Sequence, residues 1–249
     1  MIEAVVFDLG GTLIEYAGEW TAWPDLETPG FAAAYGYLQA QGTVLPSFDT
    51  FREAGFGLLP QRWRGATRGE RNLRLAELLG EVTAACGVAV PLAQLFQASK
   101  QYEQAISGQA HLMPYARETL ALLKWQGYKL GLLSNTMFTG EGHIADLRRY
   151  GLLEFFDALL FSADVDKWKP NPEPFWHVLA DLGVEAAETA VYVGDDPASD
   201  MVGGRSAGML TVFCVGNGRF SPPDNVIPHA KIDDLAALPS LLERLNKDE

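Results

Sequence analysis

Ala4-Val5-Val6-Phe7-Asp8-Leu9-Gly10-Gly11-Thr12-Leu13 is the stretch on which the reading of this 249-residue chain turns. Its apolar run, Ala4 to Phe7, is rich in β-branched residues and fits a buried strand of a parallel sheet. The run ends on a carboxylate, followed by two glycines where the backbone must turn tightly near a ligand. Asp8 therefore stands at a predicted strand tip, within reach of an incoming group.

Similar short runs ending in polar or glycine-containing turns recur at 129–133, 158–161, 190–193 and 210–214. Helix-like patterns alternate with them, such as Pro114 to Gln126, where the proline suits a first turn and Gly127 suits the position past the end. This alternation predicts an α/β fold with a Rossmann-like parallel sheet. The spacing breaks once, between the first strand and the second, and that interval contains no convincing strand. Helices are expected there over 30–41, 47–57, 69–86 and 91–107. The organisation predicted is a core of residues 1–15 and 108–249 carrying a helical cap of residues 16–107. The tail from Lys231 onward reads as a short edge strand and a closing helix.

Ligands of an open parallel sheet bind beyond the carboxyl ends of its strands, so the residues after each strand matter most. Leu132-Leu133-Ser134-Asn135-Thr136 offers a hydroxyl, an amide and backbone N–H groups, donors that suit phosphoryl oxygens, although Ser-Asn is also ordinary turn chemistry. Asp164 to Phe175 contains Lys169 among prolines that would hold it in place. Such a lysine is commonly just solvated, but beside a carboxylate nucleophile its ammonium would offset charge on a transferred group. Val193-Gly194-Asp195-Asp196-Pro197-Ala198-Ser199-Asp200 crowds carboxylates together, and oxygen ligands without histidine or cysteine favour Mg²⁺. Asp196 is expected to cap the helix that follows, and Asp195 to serve the site.

Each motif is weak alone, but together and in this order they resemble the haloacid dehalogenase superfamily. The resemblance rests on Asp8, Ser134, Lys169 and Asp195 with Asp200, and extends to Ala207-Gly208-Met209. It implies a Mg²⁺ site formed by Asp8, the backbone carbonyl of Gly10, Asp195 and Asp200. It also implies an aspartyl-phosphate on Asp8. Leu9, Gly10, Ser134, Asn135 and Lys169 would contact a small phosphorylated substrate, and Asp8, Ser134 and Lys169 would carry the catalysis.

The sequence departs from that pattern at Gly10, where phosphatases of the superfamily normally keep the aspartate that protonates the leaving group. General acid/base catalysis contributes about 10² to 10⁴ in rate. Glu15, Tyr16 or Glu19 could substitute, substrates could carry good leaving groups, or the chain could bind phosphate and Mg²⁺ with little turnover. Haloacid dehalogenases lack the aspartate too, but have no need of the acidic fourth loop. Phosphonatases use a cap lysine, and residues 17–99 contain none. Asp-Leu-Gly-Gly-Thr also resembles the phosphate loop of actin-like sugar kinases, without their second glycine-rich motif.

A formal net charge of −13 argues against nucleic acid or an anionic membrane as partner. Cys86 and Cys214 lie far apart without metal-ligand neighbours, which favours reduced thiols and a cytoplasmic location. Within the predicted cap, Arg62, Arg64, Arg68, Arg71 and Arg74 cluster. A helix spanning them would align Arg64, Arg68 and Arg71, so Arg68 and Arg71 are candidate contacts to an anionic part of the substrate, against a solvated face paired with Glu70 and Glu77. Trp20, Trp23 and Trp63 are candidates for chamber walls or for core packing. His111, His143, His177 and His229 show no metal spacing and receive no role.

Overall fold

Why Ala4–Phe7 (β1) lies at the centre follows from its side chains: all four residues are fully buried, with Val5 and Phe7 facing one layer of helices and Ala4 and Val6 the other. A computed structural model describes residues 1–18, 22–165, 167–216, 218, 220 and 226–247. Among them, β1 joins Lys129–Ser134 (β4), Ala158–Phe161 (β5), Ala190–Gly194 (β6), Leu210–Cys214 (β7) and Ala230–Ile232 (β8) in one parallel sheet of order β5-β4-β1-β6-β7-β8. β1 sits between β4 and β6, with Phe7 opposite Leu132 and Val193. The order reverses there, which opens a crevice at the tips of these strands.

Five helices cover the sheet. Ala116–Trp125 (α5), Gly140–Arg149 (α6) and Leu238–Leu245 (α9) pack on the Val5 side through Leu120, Leu123, Leu147, Leu238 and Leu242. Glu173–Asp181 (α7) packs on the other side through Phe175, Val178 and Leu179, next to Val202–Ser206 (α8). Gly127, with φ 90°, ends α5 as its sequence predicts. Both cysteines are free thiols, and no helix among the described residues is long and apolar enough to cross a membrane.

The interval between β1 and β4 holds Thr28–Ala40 (α1), Phe48–Thr67 (α2), Leu75–Ala85 (α3) and Leu92–Gln109 (α4), which share a separate apolar cluster. Two elements differ from expectation. α2 runs ten residues beyond 57, through Pro60, because Leu59 and Ala66 are buried in that cluster and packing outweighs the lost backbone donor. The third helix begins at 75 rather than 69, since Gly69 takes φ 75° and Arg74 is extended. This segment reaches the loops beyond β5 and β4: Asn72 Nδ2 donates to the Val165 carbonyl at 2.6 Å, and Leu75 N to that of Met137 at 3.0 Å.

The interval also contains strands that the sequence pattern does not reveal. Ile14–Glu15 (β2) pairs antiparallel with His111–Leu112 (β3), with Ile14 opposite Leu112 and Glu15 opposite His111. This short ribbon ties together the two chain crossings between sheet and helical layer. Two residues per strand give no detectable alternation.

α1 approaches α4 closely at Gly30, where any Cβ would overlap the ring of the buried Tyr102. Gly36, on the same helix, faces open space. Gly30→Ala is expected to cost about 1–3 kcal/mol by overpacking, whereas Gly36→Ala is expected to add about 0.5–1 kcal/mol through helix propensity. Urea denaturation of the two variants checks the contrast; similar shifts would contradict this packing.

Candidate active site

Parallel strands present all their carboxyl ends at one edge, so four separate loops converge there. Asp8 follows β1, Ser134 ends β4, Lys169 lies in the loop after β5, and Asp195 follows β6. Lys169 is 2% exposed, and its ammonium donates to Asp8 Oδ1 at 2.6 Å, Asp200 Oδ1 at 2.7 Å and the Tyr192 hydroxyl at 2.7 Å. Its backbone is clamped by one side chain: Asn135 Nδ2 donates to the Lys169 carbonyl and Asn135 Oδ1 accepts from the Lys169 N–H, both at 2.9 Å. Two glycines make room for the acids. A Cβ at Gly11, whose φ is 83°, would overlap the Asp195 carboxylate, and one at Gly194 would overlap that of Asp200.

Burial by itself would lower the Lys169 ammonium, but the Asp200 and Asp8 carboxylates hold it above the ordinary lysine range. Burial pushes the Asp200 carboxyl up to about 7, with Asp8 and Asp196 adding to the rise and Lys169 opposing it. Asp8, Asp195 and Asp200 are all buried, with ligand oxygens within 4.8 Å of one another. Among the described residues, Lys169 is the cation that touches this group, bonding Asp8 and Asp200. This all-oxygen donor set fits a hard divalent cation.

The acids and Lys169 form the floor of a cavity of about 840 Å³ that continues up to the helical layer. Tyr16 and His143 line one side. The Tyr16 hydroxyl donates to Asp146 Oδ2 at 3.1 Å and lies 3.2 Å from His143 Nδ1, while Thr136 Oγ1 lies 2.7 Å from His143 Nε2. His143 stacks between Phe138 and Phe161. Burial keeps this imidazole neutral, with its pKa lowered to about 4. Burial first, and then the Asp146 charge, hold the Tyr16 phenol well above its ordinary value.

Residues 2–208 match the family described as haloacid dehalogenase-like hydrolase. The chain belongs to that family. Ribulose-1,5-bisphosphate 5-phosphatase of Halopiger xanaduensis is 33% identical over 86% of this chain and 84% of its own length. A phosphoglycolate phosphatase of Cereibacter sphaeroides is 29% identical over 97% of this chain and 98% of its own. Among solved structures, a 2-haloacid dehalogenase from Pseudomonas syringae superposes with a TM-score of 0.72 at 26% identity, covering 98% of this chain and 100% of its own.

Against this haloacid dehalogenase-like frame, the structure brings Asp8, Leu9, Gly10, Ser134, Asn135, Lys169, Asp195 and Asp200 to one cavity. Asn135 spends both ends of its amide on the Lys169 backbone, so it positions the lysine. Asp196 caps the following turn, accepting from Ala198 N at 2.8 Å, as expected. Arg68 and Arg71 are not brought to the cavity and do not share a helix face with Arg64, because α2 stops before Gly69. Arg71 instead meets Glu77 at 2.9 Å and Glu81 at 3.1 Å. Trp23 and Trp63 do line the cavity; Glu19 and Trp20 fall outside the described residues. His143, Tyr192 and Glu27 carry no motif signal, because each is recognisable only by what the fold places beside it.

His143 binds a proton more readily in the unfolded chain, at about 6.5, than in the fold, at about 4. Its contribution is complete above the unfolded value and is lost as pH falls between the two. Over that window wild type should lose about 2–3 kcal/mol more stability than His143→Gln. Urea unfolding at both ends of the window checks this, and equal losses would contradict it.

Proposed function

We propose that this hydrolase is a Mg²⁺-dependent phosphatase acting on a small phosphorylated metabolite through an aspartyl-phosphate on Asp8. The observation that carries the reading is the buried Lys169 ammonium on the Asp8 carboxylate, with Asp195 and Asp200 alongside. One Asp8 oxygen attacks phosphorus, the bond to the leaving oxygen breaks, and the phosphoryl group resides on Asp8. Water then attacks phosphorus, releasing phosphate and restoring the carboxylate. Ser134 and Lys169 hold the phosphoryl oxygens, together with the loop at Leu9 and Gly10. Mg²⁺, held by Asp8, Asp195, Asp200 and the Gly10 carbonyl, would neutralise charge on the phosphoryl group.

The names of the relatives support phosphate-ester hydrolysis: one is a ribulose-1,5-bisphosphate 5-phosphatase, another a phosphoglycolate phosphatase. In this reading residues 16–107 are the cap and residues 1–15 with 108–249 the catalytic core, with the β2–β3 ribbon at the two chain crossings. The free thiols suit a reducing cytoplasm.

Gly10 supports a second reading, a weakened phosphate- and Mg²⁺-binding protein, because no side chain there can protonate a leaving group. Tyr16 does not replace it, since its hydroxyl is already donated to Asp146. A Cβ at Gly10 would lie 3.9 Å from Tyr16 Cδ2, an ordinary contact, so the backbone there has room for a side chain to begin. Gly10→Asp is expected to raise kcat for alkyl phosphates by about 10² or more and to change acyl phosphate turnover far less. Asp8→Asn is expected to abolish both. Phosphate release with Mg²⁺ checks these outcomes; turnover by Gly10→Asp alone would favour the binding-protein reading, and turnover surviving Asp8→Asn would refute the covalent route.

A further inference from the structure

An ammonium has three N–H donors, and those of Lys169 are all spent: on Asp8 Oδ1 at 2.6 Å, and on Asp200 Oδ1 and the Tyr192 hydroxyl at 2.7 Å each. These partners are not equivalent. Asp8 and Asp200 line the cavity together with Lys169, whereas Tyr192 is fully buried and forms no part of the cavity wall. A phosphoryl oxygen entering from the cavity therefore competes with the carboxylates for the ammonium, and not with the phenol behind it.

Tyr192 is held more firmly than a bond to the lysine alone requires. It stands in β6 opposite Val6 of β1, yet its hydroxyl reaches across β1 and donates to the Leu133 carbonyl of β4 at 2.9 Å. With the phenol proton committed there, the oxygen is left as an acceptor for Lys169. The ring packs edge to face on Phe175, with centroids 4.8 Å apart and planes at 64°. Gly204 keeps its neighbourhood open, since a Cβ there would press on the Tyr192 Cβ at 3.3 Å. The Lys169 ammonium also lies 5.3 Å from the centre of this ring.

We propose that Tyr192 is a positioning residue for Lys169: its hydroxyl anchors the ammonium from behind, so that the carboxylate bonds give way to phosphoryl oxygens while the lysine stays beside Asp8. This rests on the phosphatase reading of the site and adds a residue to it. Tyr192 makes no bond to phosphorus and loses no proton. Because Leu133 directly precedes Ser134, the anchor also ties Lys169 to the strand tip that carries Ser134. The two side chains that would hold the phosphoryl oxygens thus share one support.

Tyr192→Phe keeps the ring and deletes the hydroxyl. With 4-nitrophenyl phosphate and Mg²⁺, kcat and kcat/KM are expected to fall together by about tenfold, with KM within about twofold, as for a group whose effect is felt in the transition state. Val178→Ala is the control for lost packing, since it opens a cavity in the same apolar cluster with the hydroxyl in place. It is expected to lower the melting temperature and leave kcat within about twofold. A second readout needs no turnover: ¹⁵N NMR of the Lys169 ammonium, assigned through its side-chain carbons. Exchange of its protons with water is expected to quicken several-fold in Tyr192→Phe and to stay as in wild type in Val178→Ala. Unchanged kcat in Tyr192→Phe overturns the inference, as does unchanged ammonium exchange, or a kcat loss that Val178→Ala matches. If wild type hydrolyses no phosphate ester, the phosphatase reading fails, while quickened exchange in Tyr192→Phe upholds the anchor. Turnover by wild type with exchange unchanged in Tyr192→Phe keeps that reading and removes the anchor.

Discussion

The Lys169 ammonium reaches Asp8, Asp200 and Tyr192 within 2.7 Å at the buried floor of the cavity. A lone buried ammonium would be expensive, and so would the carboxylates beside it, so each group depends on the others staying in place. That mutual dependence links three strand tips. β1 supplies Asp8, the loop after β5 supplies Lys169, and the turn after β6 supplies Asp200, with Tyr192 of β6 underneath and Asn135 after β4 fixing the lysine backbone. The sheet order β4-β1-β6 is what brings them within reach. Gly11 and Gly194 then let the acids come closer than a Cβ would allow.

Sequence order conveyed much of this because strand and helix alternation has a local cause. A fully buried run such as Ala4–Phe7 reads the same in the chain and in the fold, and so does the glycine after α5. Pro114, read as part of the first turn, instead lies outside the helix because Tyr115 takes φ 63°. A motif directly after a predicted strand also declares its position, which is why Asp8, Ser134, Lys169 and Asp195 could be grouped without coordinates. Features set by long-range packing were not legible. α2 continues through Pro60 because of neighbours far away in sequence, and the two-residue strands β2 and β3 pair across nearly a hundred residues. The arginine run looked like one helix face because its spacing suits one, yet Gly69 breaks the helix and local glutamates take the charges. His143 could not be found at all: its significance lies in Tyr16, Thr136 and two aromatic rings meeting it in space.

Gly10 gains a structural meaning from the same geometry. Its backbone lies beside the ring of Tyr16, whose hydroxyl points away into a buried network with Asp146 and His143. Burial leaves both rings of that network uncharged, the imidazole neutral and the phenol protonated. The cavity thus joins a charged floor to a partly apolar wall, with no ionisable side chain at position 10 between them.

The central claim is that Asp8 becomes covalently phosphorylated, and the most direct measurement is chemical trapping. Borohydride reduction of protein quenched during turnover of a phosphate ester with Mg²⁺ converts an aspartyl-phosphate to homoserine, which peptide mass spectrometry locates. The account predicts homoserine at position 8, dependent on both ester and Mg²⁺. Homoserine at another aspartate, or none while phosphate is being released, would contradict it.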